Sequence, residues 1–291
     1  MRYVIPLSVL PACLLAQVAL ADVNPADIDK AVKEGRYSDA GRLWEQRAAN
    51  NPNRADVQLG YARFLQSIGQ TDPATKEFQR ALALKSDLSD AYVGLAEISL
   101  QILDVPNALA YARKALAYDQ HSPAARIVEV NALMQSGSDS QADEELKPLL
   151  DDGKKNPEVM YLAYEVKAHK GDLLNARQYL QQAVNLDGNR VDWAMDLCTL
   201  LESAGDYGSA KAYLQEAIER EPHAVDVRVH MARHLEVFEK DYDHAIQQYQ
   251  AALEIKADLP AALAGIDRCQ AKKNDLARRL KLSLQQLFSK H

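Results

Sequence analysis

The sequence predicts an all-α chain, a solenoid of stacked antiparallel helix hairpins. Alanines recur in steps of 34 residues at Ala40, Ala74, Ala108, Ala142, Ala176 and Ala210, and a step of 35 then reaches Ala245. Five residues before the first six lie Gly35, Gly69, Leu103, Gly137, Gly171 and Gly205, the place for a turn between two helices, where glycine accepts positive φ without steric cost. Aromatics make up only 7% of the chain, which favours helices over strands. A period of this length is one supersecondary unit that cannot bury its apolar face alone, so neighbours must stack.

The elements follow in chain order. Residues 1–21 read as a cleaved signal peptide: Arg2 is the basic start, 4–20 are largely apolar, and Ala19-Leu20-Ala21 presents the small-x-small site before Asp22. Leu10-Pro11-Ala12-Cys13 supports a second reading, a lipid carried on Cys13. Repeats are then expected at 22–54, 55–88, 89–122, 123–156, 157–190, 191–224 and 225–259. Asn24-Pro25 supplies a cap and a first turn for a short opening helix. The polar run Asp151-Asp152-Gly153-Lys154-Lys155-Asn156 is the expected weak junction, and Tyr164 stands where a small residue is usual. The seventh repeat has one extra residue, expected at its turn within Glu239-Lys240-Asp241. Residues 260–291 are expected to make two capping helices, 260–272 and a basic one capped by Asp275. Leucines at 276, 280, 284 and 287 in that second helix support a second reading, behind the cap, of a helix lying on an anionic membrane.

Four residues after each alanine the side chain is large in most copies (Trp44, Phe78, Leu146, Leu180, Leu214, Tyr249), and Pro52 and Pro222 close their repeats. With stretches such as Ala91-Tyr92-Val93-Gly94-Leu95-Ala96, the pattern resembles the tetratricopeptide repeat (TPR) family over about residues 22–270. The resemblance implies a right-handed α-solenoid of about seven repeats plus capping helices. It also implies a concave groove lined by the second, fifth, sixth, ninth, twelfth and thirteenth positions of each first helix. Those positions include Val93, Gly94 and Glu97; Ile127, Val128, Asn131 and Met134; Tyr161, Leu162, Glu165 and His169; Met195, Asp196 and Thr199; and Val229, His230 and Arg233.

This is an apolar track with acidic flanks, suited to a protein or peptide ligand that carries apolar residues with Lys or Arg. A plainer reading has the apolar residues packing between adjacent helices and the acids Asp90, Asp192 and Asp226 serving helix starts. Without the leader, 33 basic and 41 acidic side chains leave −8. The last 22 residues sum to +5 and the remainder to −13, which argues against nucleic acid as a partner. Membrane contact is expected only through a lipidated Cys13 or the 273–290 helix.

No constellation for catalysis stands out. His230 and His234 lie four apart, but Arg233 between them opposes a cation, so no metal or cofactor is expected. Cys198 and Cys269 are a whole repeat apart, beyond disulfide reach, and read as packing residues. The expected function is a non-catalytic interaction scaffold of the bacterial cell envelope, exported to the periplasm or lipid-anchored at the outer membrane. Assembly of a pilus or secretion apparatus is the favoured setting among the roles that the resemblance implies. The alternative is a docking subunit that regulates a periplasmic hydrolase or protease, or serves an exopolysaccharide-export complex.

Overall fold

The computed structural model describes residues 23–152 and 156–288; the expected leader at 1–21, with Cys13, lies outside the described residues, as does the centre of the polar junction. Fifteen α-helices and no strand occur among the described residues. They divide into two compact units, one ending at Ala132 and one beginning at Leu133.

In the first unit α1 (Pro25–Lys33) pairs with α2 (Tyr37–Asn50), α3 (Ala55–Ser67) with α4 (Thr71–Leu84), and α5 (Ser89–Gln101) with α6 (Val105–Tyr118). The helix α7 (Pro123–Gln135) contains the point of division. In the second unit α8 (Asp139–Asp152) packs on α9 (Pro157–His169), which pairs with α10 (Leu173–Leu186). Next, α11 (Val191–Ser203) pairs with α12 (Tyr207–Arg220), and α13 (Val225–His234) with α14 (Tyr242–Ile255). The last helix, α15 (Pro260–Phe288), packs on α14. Contacts of α3 with α5 in the first unit, and of α11 with α13 and α13 with α15 in the second, set odd-numbered helices side by side within each unit.

The alanine column explains the spacing. Ala40, Ala74, Ala108, Ala142, Ala176, Ala210 and Ala245 are all fully buried. Their small side chains let the paired helices approach closely, and a larger side chain would overpack the contact. Four residues later a bulky group reaches toward the next hairpin. Where it is a ring, the next odd helix supplies a glycine: Trp44 lies against Gly60, Phe78 against Gly94, and Tyr249 against Gly265. A Cβ on Gly60 would stand 2.5 Å from the Trp44 ring, and one on Gly94 would overlap the Phe78 ring. Burying Phe78 completely stabilises by about 2–3 kcal/mol.

The hairpin turns share one device. At Gly69, φ is 76° and the Gln70 N–H donates back to Leu65 O at 2.9 Å, satisfying a carbonyl that the helix end would leave open. Leu103 takes the same conformation without being glycine: φ is 61°, and the Asp104 N–H donates to Ser99 O at 2.8 Å. The turn therefore imposes a left-handed backbone on a β-carbon-bearing residue, at a cost of about 1–2 kcal/mol. The following helix is usually capped by an aspartate. The side chains of Asp104, Asp172, Asp206 and Asp241 accept from the N–H groups of Asn107, Asn175, Ser209 and His244. At the start of the chain, Asn24 accepts from the Ala26 N–H at 3.1 Å, with Pro25 in the first turn.

Two local expectations are corrected. The extra residue of the seventh repeat is not inserted at its turn. Lys240, with φ 58°, holds the turn position five residues before Ala245, so the addition lies upstream. It is taken up by a π-helical turn, Leu235–Glu239, and the closing bond runs from the Asp241 N–H to Leu235 O, one residue further back than elsewhere. The two expected C-terminal helices are one, α15. Asn274-Asp275 contains no glycine or proline to stop a helix, and Asp275 pairs instead with Arg279 one turn on, at 2.9 Å.

Candidate functional site

Each odd helix carries an inward stripe that packs on its own hairpin and an edge that faces the next odd helix. In the first unit this edge is largely self-satisfied. Val93 is buried at 3% exposure among Ala96, Ala112, Ala115, Ala125 and Val128, and Val128 is buried with it. Both are core residues, and the expectation that Val93 lines an accessible groove is corrected. Ala112 of its own hairpin is too small to occupy the gap alone, and Ala125 and Val128 of α7 complete the cluster. Glu97 is exposed but accepts from Gln66 Nε2 at 2.8 Å, and Arg63 pairs with Asp90 at 3.0 Å, so α3 and α5 meet each other's polar groups. Ile127 and Asn131 are half-buried.

The second unit differs. Met134, Tyr161, Glu165, Met195, Asp196, Val229 and His230 are half-buried, and His169, Thr199 and Arg233 are exposed. Leu162, by contrast, is core at 4% exposure. On α9 and α11, Tyr161 is stacked on Trp193 with ring centroids 4.8 Å apart and tilted on Tyr164 at 5.3 Å. Tyr164, at a position where a small residue is usual, thus joins an aromatic cluster. The Tyr161 hydroxyl donates to Asp196 Oδ2 at 2.9 Å. Burial, followed by that bond, pushes the Tyr161 phenol up. Burial and the charge of Asp196 push the Glu165 carboxyl above its ordinary value, with His169 partly opposing. Glu165 and Asp196 make no ion pair among the described residues, whereas Asp192 is held by a bidentate Arg190 at 2.7 and 3.0 Å. The Arg190 guanidinium also lies 4.1 Å over the Trp193 ring.

Beside this cluster α11, α13 and the π-helical turn enclose a cleft of about 450 Å³. Met195, Thr199, Val229, His230 and Arg233 line it, together with Glu202, Asp226, Val237 and Phe238. The Thr199 hydroxyl donates to Met195 O at 3.0 Å and so serves its own helix. Val237 and Phe238 escape a periodic reading because the π turn shifts them by one residue; the 35-residue step is the only sequence sign of them. The cleft wall rests on Glu202, whose carboxylate meets His230 Nε2 at 3.3 Å and the fully buried His234 Nδ1 at 2.7 Å. With its proton on Nδ1, His234 donates to the Glu202 carboxylate. Tyr207, stacked on Phe238 at 4.5 Å, closes the outer side.

The cysteines are packing groups. Both are buried and free, and burial, then the Glu202 charge, pushes the Cys198 thiol up to about 12, which leaves no reactive thiolate. No group of three His, Cys, Asp or Glu side chains that could hold a metal ion occurs among the described residues. No described helix is long and apolar enough to cross a membrane.

The sequence pattern of the tetratricopeptide repeat matches residues 31–98, 104–163 and 168–233. A comparison with curated protein sequences gives no match. Among solved structures, the chain is similar to one in the APC/C hetero-tetramer Cut9-Hcn1, with TM-score 0.62 and 18% identity over 86% of this chain. It spans about half, 49%, of that chain. PilF of Pseudomonas aeruginosa is similar with TM-score 0.61 and 19% identity, over 75% of this chain and 97% of its own. YrrB, described as a TPR protein with an unusual peptide-binding site, gives TM-score 0.50 and 21% identity over 67% of this chain and 97% of its own. At these identities the likeness is one of fold.

Proposed function

Because the chain belongs to the tetratricopeptide repeat family, a fold of protein-interaction scaffolds, we propose that it holds an apolar, Lys- or Arg-bearing peptide segment on the α9–α11–α13 edge as an adaptor of the bacterial cell envelope. The observation that carries this is a cleft with Met195, Val229, Val237 and Phe238 in its lining, beside Glu165 and Asp196, two half-buried acids without an ion pair among the described residues. Two like charges held out of water oppose folding, and a cationic ligand would offset both. The half-buried rings of Tyr161 and Tyr164, backed by the buried Trp193, give the stem of a long basic side chain a surface to lie on. No chemistry is assigned to the protein; it acts by ordering a flexible segment and bringing partners together.

The envelope setting is supported by the signal-peptide pattern of residues 1–21, and assembly of a pilus or secretion apparatus is the role we assign. Crosslinked purification from envelope fractions tests both parts, with a Tyr161→Lys, Met195→Lys double variant shown to be folded by circular dichroism. Loss of a defined assembly from the variant supports the reading. Recovery of the same partners with both proteins rejects the proposed edge. Intact mass of the exported protein tests its start: Asp22 supports the leader, and a diacylated Cys13 replaces it with a lipid anchor.

A further inference from the structure

The helix α15 is covered for only part of its length. Ala262, Cys269 and Leu276 fall at steps of seven residues on one helical face. The first two are fully buried and Gly265 meets Tyr249, so α14 covers this face at its start. Beyond Cys269 the helix continues for roughly 28 Å at 1.5 Å per residue, and its Leu276, Leu280 and Leu282 are 54%, 63% and 51% exposed. Around these leucines stand Lys272, Arg278, Arg279 and Lys281. Lys273 pairs with Asp243 of α14, and the described leucines beyond it form an exposed apolar ridge set among cations.

We propose that this segment docks on the α9–α11–α13 edge of a second copy of the chain. The proposal rests on the reading of that edge as a peptide site, and the tail has the composition the edge asks for. Its leucines match the cleft of Met195, Val229, Val237 and Phe238. Its cations match Glu165 and Asp196. Charge favours this occupant over two others. A tail-to-tail pair would bring two basic helices together, and like charges at a contact are selected against. An anionic lipid surface would attract the tail but repel the rest of the exported chain, which carries −13. An unbroken helix also cannot fold back onto its own unit, so the contact forms between molecules. It joins different surfaces, tail to edge, and is therefore heterologous and can extend beyond a dimer.

Sedimentation and light scattering of the purified protein over a concentration series test this. Wild type should grow in mass with concentration, and salt should weaken the association. A tail variant (Leu276→Glu, Leu280→Glu) and an edge variant (Glu165→Lys, Asp196→Lys), each folded by circular dichroism, should each lose affinity by about tenfold or more. Mixed together they should form a dimer and nothing larger, because one intact tail still meets one intact edge. A monomeric wild type, an association indifferent to either variant, or a mixture that fails to pair overturns the proposal. So does a monomer that binds phosphatidylserine vesicles through α15. A synthetic Lys/Leu helical peptide separates the two readings. If it binds wild type and not the edge variant while wild type stays monomeric, only self-docking is overturned. If it binds both equally, the edge itself is wrong.

Discussion

In the unit ending at Ala132 the sixth residue of the odd helix is Gly60 or Gly94, and a ring from the preceding hairpin lies against it. In the unit beginning at Leu133 the corresponding residues of α11 and α13 are Asp196 and His230, and the preceding hairpins offer Leu180 and Leu214 instead of rings. An aromatic group there needs the whole space and turns the edge into core. A leucine ends sooner and leaves room for a functional side chain. The repeat thus gives a packed wall where a ring meets a glycine and a more open edge at α11 and α13, while Val128 and Leu162, at the same position of α7 and α9, fill the space themselves and are core.

Gly94→Leu would put a side chain where the Phe78 ring lies, and should destabilise by about 3 kcal/mol. Asp196→Leu, at the matching place in the other unit, should change stability by less than about 1 kcal/mol. Urea unfolding of both variants measures the contrast, and equal losses would break it. Glu202→Ala would leave the buried His234 Nδ1 without its acceptor and should cost about 2 kcal/mol, with the cleft wall loosening before the first unit does; hydrogen exchange of α13 reads this out.

The contact of the π-helical turn with α15 gives a pH test. Arg268 donates to both Glu236 oxygens at 2.8 and 2.9 Å, and Tyr249 adds a third bond at 2.9 Å. The Arg268 bonds hold the Glu236 carboxyl below its usual value, against the effect of burial. A carboxyl with a depressed folded pKa contributes stability above its unfolded pKa and loses it as pH falls through the folded one. Since Arg268 is half exposed, Arg268→Ala should cost about 1 kcal/mol at neutral pH. Wild type and variant should converge in acid, and a constant gap down to pH 2 would refute the assignment. The smallest effect expected is a gain. Leu103→Gly removes left-handed strain but adds unfolded-state freedom, for a net of about 0.5 kcal/mol in thermal melts.

The alanine column and the glycine turns are legible in the sequence because each depends on its own hairpin and repeats with the period. The burial of Val93, Val128 and Leu162 is not, since it is decided by how far the neighbouring hairpin's side chains reach. Leu103 could be placed at the turn by register, yet its chemistry argues against the backbone it adopts. Asp275 looks like a cap because aspartate favours helix starts, but with nothing to stop the preceding turns the helix runs through it. The extra residue before Ala245 can be counted but is misplaced at the turn, because a π turn leaves no composition of its own.

That π turn also decides which length changes the chain can absorb. Tyr249 and Gly265 keep the same separation as Phe78 and Gly94 although a residue has been added before them. The addition is confined to one turn of one helix, so everything after Lys240 remains in phase. A residue added between Tyr249 and Gly265 would have no such outlet. It would carry the ring past its glycine and detach α15, with the tail it bears, from the rest of the stack.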